Sequence, residues 1–473
     1  MKNIFKFTLP LLLVAVMFSG CDDILEPSVD QAVPTEVAVS TIGDLQGLIL
    51  GAHDLLNSAV LYGRDIHVGP DVMSDNAFST GSSNRFVIQS QFDFTTQNAY
   101  SANTWNNFYR VIAVANIVIN NQSGLSGDEY DNIVGQAYAL RALAHMNLIK
   151  FFGQQWVTGG DPNLGVPYVT TYAEGNNYPA RDPIATVWTN IGNDFQMAAD
   201  LMDPQFDTNV GAIGYYAVKG LQSRYYLYTG DFDAAIAAAD VVINSGNYTL
   251  VPAANLLSTW ASGTGPNSLF ELVFIDTDNP GFDNMARIIR RSNYGDVEAT
   301  QDLYDAYDAD DVRRDLLTVH TDGNQEIRMT GKYVDDLVGT DNIRVIRYAE
   351  VWLNKAEALA RRNQGGDRAE AQSMINTLSA ARGSSRVYAD GEPLTVLAER
   401  RLELAFEGHR FFDLARHGLD IPNPPIRAGV GAGLRFNDNN GALEFGDYRF
   451  ALPIPNAEMN ANPNMVQNEG YLN

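Results

Sequence analysis

Beyond residue 40, apolar side chains recur every three or four positions in several long segments, the spacing that gives an α-helix one buried face. In residues 41–57 the series is Ile42, Leu45, Leu48, Ile49, Ala52, Leu55 and Leu56. The same periodicity predicts helices over residues 105–120 and 130–152, the second stopped by Gly153, and over a segment opened by Asp182-Pro183 that runs to about Leu201. A polar stretch rich in Gly, Ser and Asn, residues 63–101, separates the first two helices, and its Gly81-Ser82-Ser83-Asn84 run reads as a loop tip.

The clearest helix pair spans residues 212–244. There Gly230, Phe232 and Ala235 stand at the offsets that a tetratricopeptide repeat uses for its turn glycine, its aromatic and its small packing residue. Residues 347–382 repeat the five-residue offset at Gly366 and Ala371. The units are not in tandem, which disfavours a plain solenoid. The predicted fold class is all-α: helix pairs scaffolding long loop insertions, with minor β-structure. Between the two units, the alternation in Leu269-Phe270-Glu271-Leu272-Val273-Phe274-Ile275 predicts a strand, followed by a Gly/Asn/Asp-rich loop to about Asp296. Near the end, Gly429, Gly431 and Gly433 follow a Pro-rich run instead of a strand, so they predict a surface loop and not a phosphate cradle.

Charge narrows the partners. With 32 Lys and Arg against 57 Asp and Glu the chain carries −25, which repels phosphate backbones and excludes a nucleic-acid partner. One cysteine among 473 residues forbids an internal disulfide. Its position is informative: Lys2 and Lys6 precede an apolar run over residues 7–18, and Ser19-Gly20 lead into Cys21. That run falls short of the roughly 20 residues a membrane span requires and reads as an export signal. The small residues before Cys21 resemble a bacterial lipobox, with Phe18 where Leu is usual, so that Cys21 becomes an acylated N-terminus. Asp22, Asp23 and Glu26 resemble the signal that sends Bacteroidetes-type lipoproteins to the outer face of the outer membrane. The expected organisation is therefore a lipoprotein signal peptide (1–20), an acylated N-terminus and tether (21–40), and a single domain (41–473) with an N-terminal helical half (41–250) and a C-terminal half (251–473). Loss of residues 1–20 removes two lysines and no acid, so the remaining chain is more negative still and membrane attachment falls to lipid alone.

Catalytic and metal chemistry finds little support. The six histidines, His53, His67, His145, His320, His409 and His417, form no zinc-binding pair of the usual spacing. Asp305, Asp308, Asp310, Asp311 and Asp315 cluster without the glycine that a calcium loop uses for its sharp turn. Glu399, Glu403 and Glu407 share one helix face, and a glycosidase needs two carboxylates about 5–10 Å apart across a cleft. Arg400, Arg401 and Arg410 alongside them predict structural ion pairing instead, with His409 as a packed side chain. No cofactor and no metal is implied. Aromatics in polar loops are the other candidates: Phe78 and Phe86 in the first insertion, Phe282 and Tyr294 after the strand. Such rings either stack on the apolar face of a sugar while Asp75, Asn76, Arg85, Asn284 and Arg287 meet its hydroxyls, or fold back and pin their own loops.

The C-terminal half carries Arg347-Tyr348-Ala349-Glu350-Val351, then Lys355-Ala356-Glu357-Ala358-Leu359, then Glu399-Arg400-Arg401-Leu402-Glu403-Leu404-Ala405-Phe406-Glu407-Gly408-His409-Arg410-Phe411-Phe412-Asp413-Leu414, and ends with Pro453-Ile454-Pro455, Asn462-Pro463-Asn464, Gln467-Asn468 and Gly470-Tyr471. The N-terminal half carries Trp105 with Tyr109, Ile112 and Asn116, and Arg141-Ala142 before Phe151-Phe152-Gly153. In this order the chain resembles the SusD/RagB family, surface lipoproteins that work with TonB-dependent transporters in nutrient uptake. The resemblance implies four tetratricopeptide-like helix pairs and a ligand site in the variable loops. It also implies a non-catalytic subunit at the outer membrane, facing the exterior, that captures an oligosaccharide or a peptide and delivers it to a SusC-like transporter. Asp75, Asn76, Phe78, Arg85, Phe86, Phe282, Asn284, Arg287 and Tyr294 are the candidate contacts. The competing expectations are a surface glycoside hydrolase using Glu403 and Glu407 and a protein adaptor built on the repeats alone.

Overall fold

Helix α1 (Ile42–Asn57) begins where Thr41 and Asp44 cap one another reciprocally, and buries Leu45, Ile49, Ala52 and Leu56. It packs on α4 (Ala99–Ile119), whose first turn is satisfied by the Asn98 side chain accepting from the backbone N–H groups of Tyr100 and Ser101. Between them stand a buried helix α2 (Asp65–Val72), a short strand β1 (Ala77–Ser79) and α3 (Val87–Gln91). The computed structural model describes residues 39–172, 178–262, 267–292, 294–323, 325–424 and 442–471. The expectations for the signal segment, Cys21 and the tether, and for Gly429, Gly431 and Gly433, lie outside the described residues.

Helices α5 (Asp128–Phe152), α6 (Ile184–Leu201), α7 (Tyr215–Thr229) and α8 (Phe232–Asn244) continue the stack, each packed on its predecessor. The α7/α8 turn is built as the sequence predicts. Gly230 takes φ +78°, a left-handed conformation that costs glycine little, Asp231 caps α8, and Ala235 is fully buried where α8 approaches its neighbours. Helix α8 then packs directly on α12 (Tyr348–Arg362), which pairs with α13 (Asp367–Ala381) and α14 (Pro393–Leu404), with α15 (Arg410–Arg416) and α16 (Asn456–Ala461) following.

The hundred-odd residues between α8 and α12 are thus an insertion into a continuous helical stack. They hold α9 (Ala253–Ala261), β2 (Ser268–Leu272), α10 (Met285–Ile289), β3 (Val297–Ala299), α11 (Gln301–Ala306), β4 (Leu317–His320), β5 (Glu326–Met329) and β6 (Ile343–Arg347). Among the described residues three antiparallel two-stranded ladders result: β1–β3, β2–β6 and β4–β5. One cluster of buried apolar side chains runs from Val39 to Tyr471. Among the described residues no helix is long and apolar enough to cross a membrane.

Candidate functional site

Glu399, Glu403 and Glu407 lie in and just after α14 and are buried. Glu403 accepts from Arg382 at 2.7 and 2.8 Å, from Arg347 at 2.7 Å and from Arg313 at 3.2 Å. Glu407 accepts from Arg347 at 2.6 and 2.8 Å and from Lys332. Burial alone would raise both carboxyls; the Arg382 and Arg347 charges hold Glu403 well below the usual range, and those of Arg347 and Lys332 hold Glu407 down to about 2. Glu399, paired with Arg313 at 2.7 Å, is raised by burial. The ion pairing is as the sequence suggests, but its partners are not. Arg400 bonds Asp413, Arg401 bonds Asn76 and Asp302, and Arg410 takes Asp75, because each leaves α14 or α15 on a different face. Neither Glu403 nor Glu407 opens on a cleft.

The first insertion and the loop after β2 meet at the other candidate. Strand β1 pairs with β3 so that Ala77 faces Ala299, Phe78 faces Glu298 and Ser79 faces Val297. Beyond this ladder the predicted loop tip docks on its partner: the Ser83 N–H donates to Asp296 at 2.8 Å, and the Thr80 N–H to the Asp296 carbonyl at 2.7 Å. The ladder brings Arg85 over Tyr294, with its guanidinium carbon 4.1 Å from the ring centroid. Arg85 also donates to Asp283 at 2.9 Å, and the same carboxylate oxygen accepts from Arg64 at 3.0 Å. One residue from Asp283, Phe282 stands 68% exposed, with the Arg287 guanidinium 4.2 Å from its centroid. Arg287 reaches on to the Leu337 carbonyl at 3.0 Å, and Leu337 is itself 79% exposed at the top of a turn held by the Asp335 carboxylate.

Two aromatic rings, each with a guanidinium within about 4 Å of its centroid and linked to one another through Asp283, make up the candidate platform, and each cation–ring pair contributes about 0.5–1 kcal/mol. The guanidiniums are themselves held in place, Arg85 by Ser83 at 2.7 Å and Asp283 at 2.9 Å and Arg287 by the Leu337 carbonyl at 3.0 Å, so the rings they cover are fixed in orientation. A sugar ring laid on Phe282 would find C–H contact below and donors at its edge.

The nominated residues divide. Arg85, Phe282, Arg287 and Tyr294 form this platform. Asn284 sits beside it but is buried, its side chain capping α10 by accepting from the Arg287 N–H at 3.0 Å. The other four face inward, a correction to their nomination as contacts. Asp75 is held by Arg410 through two bonds of 2.7 and 2.9 Å, and Asn76 by Arg401 and Asp71. Phe78 and Phe86 are buried and pin their own loops, Phe86 at φ +58° with the Arg64 guanidinium 5.6 Å from its ring. Arg64, Asp283 and Leu337 adjoin this candidate site and are not among the residues the sequence nominated. Asp283 lay between two nominated neighbours and could have been included on that ground.

A family profile described as "SusD family" matches residues 318–471, and one described as "Starch-binding associating with outer membrane" matches residues 23–227. "SusD-like protein P2" of Formosa agariphila is 26% identical over 98% of this chain and 100% of its own length. "Starch-binding protein SusD" of Bacteroides thetaiotaomicron is 32% identical over 34% of this chain and 28% of its own. The crystal structure of a "putative sugar binding protein" from Bacteroides vulgatus superimposes with a TM-score of 0.82 at 29% identity, covering 92% of this chain and 100% of that one. With matching profiles in both halves, full-length relatives and the same helical stack in a solved structure, the chain belongs to the SusD family.

Proposed function

We propose that this protein is a non-catalytic, cell-surface binding subunit that captures an oligosaccharide and delivers it to a TonB-dependent transporter in the outer membrane. In this reading Cys21 carries the lipid anchor, residues 21–40 are the tether and residues 41–473 form one folded unit facing the exterior. The observation that carries it is the exposed Phe282 ring, held by the Arg287 guanidinium and neighboured through Asp283 by the half-buried Tyr294 under Arg85. Relatives named for starch and sugar binding support the ligand class, and a peptide is the less favoured occupant. The hydrolase alternative is disfavoured by the burial of Glu403 and Glu407 under three arginines and a lysine.

The test is an array of oligosaccharides and peptides offered to the purified chain, each hit being re-examined by mass after incubation. An intact saccharide hit whose binding is weakened by Phe282→Ala and Arg85→Ala supports the reading. Shortened hits, or saccharide binding indifferent to both substitutions, overturn it. Co-purification of a barrel transporter with the wild-type chain tests delivery separately.

A further inference from the structure

Helix α4 carries a second concavity, sharing no lining residue with the platform. A cavity of about 260 Å³ opens between α4 and the strap of residues 166–172, with Trp105, Tyr109 and Tyr172 as aromatic walls, Pro167 and Pro179 as apolar ones, and the Glu458 side chain of α16 at its edge. The site is built, not incidental. Asn116 and Asn120 donate to the Val169 and Thr170 carbonyls at 3.0 and 2.9 Å and hold the strap on the helix. Trp105 is wedged between Tyr109, at a centroid distance of 4.9 Å, and Phe152, at 5.0 Å. The Tyr109 hydroxyl is spent on the Pro167 carbonyl at 2.9 Å, so the cavity receives its ring and not its donor.

The charges around it are asymmetric. Burial lifts the Tyr109 phenol well above its ordinary range, and the ionised groups whose fields act on it are Glu458 and Asp182, which raise it further, and Arg181, which opposes them. Arg181 is committed to the Gly165, Val466, Phe152 and Leu164 carbonyls and the Asn468 side chain. Glu458 accepts from Asn462 at 3.0 Å, and among the described residues no lysine or arginine pairs with it. Glu458 and Asp182 against Arg181 leave the surroundings of this aromatic-lined cavity net negative, in a chain carrying −25, and a cation with apolar substituents is complementary to that.

We propose that this cavity binds a small alkylammonium ion, its cationic head between the aromatic faces and the Glu458 carboxylate and its carbon substituents against the prolines. Cation attraction to aromatic faces, strengthened by partial desolvation, selects such an ion over a strongly hydrated metal cation. An anion meets a carboxylate, and a neutral ligand gains nothing from the charge of Glu458.

Calorimetric titration of the full-length chain in non-ionic detergent tests this with choline, butylammonium and 3,3-dimethylbutan-1-ol, the uncharged isostere of choline. At least one of the two cations should bind saturably, with the isostere tenfold or more weaker. Preference for choline assigns a free quaternary ion, and preference for butylammonium a lysine-like primary amine. Glu458→Gln should weaken the cation tenfold and leave the isostere unchanged. Tyr172→Ala, which removes a half-exposed wall without touching the charge, should weaken both. Absence of saturable binding of either cation, equal binding of choline and its isostere, or indifference to both substitutions in variants that melt as the wild type overturns the proposal.

Discussion

Replacing Glu403 with Gln keeps the shape of a buried side chain and removes its charge, and the surrounding pairs show where the cost falls. Arg347 retains Glu407, and Arg313 retains Asp311 and Glu399. Arg382, fully buried, has Glu403 as its only carboxylate partner among the described residues, its remaining contact being the Val251 carbonyl. The substitution therefore strands one guanidinium in the core, at a cost of about 3–5 kcal/mol. A total stability of about 5–15 kcal/mol makes that a large fraction. Urea unfolding followed by circular dichroism should show the midpoint falling by roughly 1 M with little change in slope. Pairing the change with Arg382→Met removes the stranded charge and should recover at least about 2 kcal/mol, a coupling that a double-mutant cycle measures. A loss below about 1 kcal/mol, or a stable variant that has lost an ability to shorten saccharides, would refute the reasoning and return Glu403 to chemistry.

Phe282→Ala should leave the unfolding midpoint in place and weaken saccharide binding by about fivefold to thirtyfold, the worth of roughly 1–2 kcal/mol of stacked apolar surface. Phe78→Ala should do the reverse, lowering stability by about 3–5 kcal/mol because the ring is buried in the core. Burial depresses His53 and His67 to about 4 and His145 to about 3. In the window from about 6.5 down to 4 the unfolded chain therefore binds more protons than the folded one, and stability falls on acidification. Asp71, which burial raises to about 6, opposes this between 3.8 and 6. Four histidines, His409 being likewise held well below its ordinary value by burial, outweigh one aspartate, and each excess proton taken up by the unfolded chain is worth about 1.4 kcal/mol per pH unit. Urea midpoints across that range check the sign, and His67→Gln should flatten the curve. Cys21→Ser should abolish incorporation of a radiolabelled fatty acid, and persistent labelling would count against Cys21 as the acylation site.

The long helices were legible because their burial is one-sided and leaves a period in the sequence. α1, α5, α6, α7 and α8 fall within a few residues of their expected bounds. The strand expected over residues 269–275 ends at Leu272, and Val273 and Ile275 stand exposed beyond it. Helix α2 was missed because its burial is complete, so no polar face produces a period, and because Pro70 lies inside it. Its Asp71 accepts from the Phe406 and Gly408 N–H groups at 3.0 and 2.8 Å, a contact over more than 300 residues that no local pattern announces. Strands β1 and β3 have three residues each, too few for alternation to be read. The glutamates of α14 were legible as ion pairs, yet their partners were sought among sequence neighbours, whereas a helix turns adjacent residues to different faces. In the site, a loop aromatic carries no mark of which way it faces: Phe86 and Phe282 sit in similarly polar sequence, and only packing buries one and exposes the other.

The β1–β3 ladder has a consequence for how specificity changes in such a protein. Two segments more than 200 residues apart share one ladder, and Arg85 from one completes the platform of the other. A transplant of either loop alone carries half an interface into a host whose other half was selected for a different mate. Altered recognition therefore has to arise by paired exchange of both segments, or by substitutions at Phe282, Leu337 and the tip residues that take no part in the pairing.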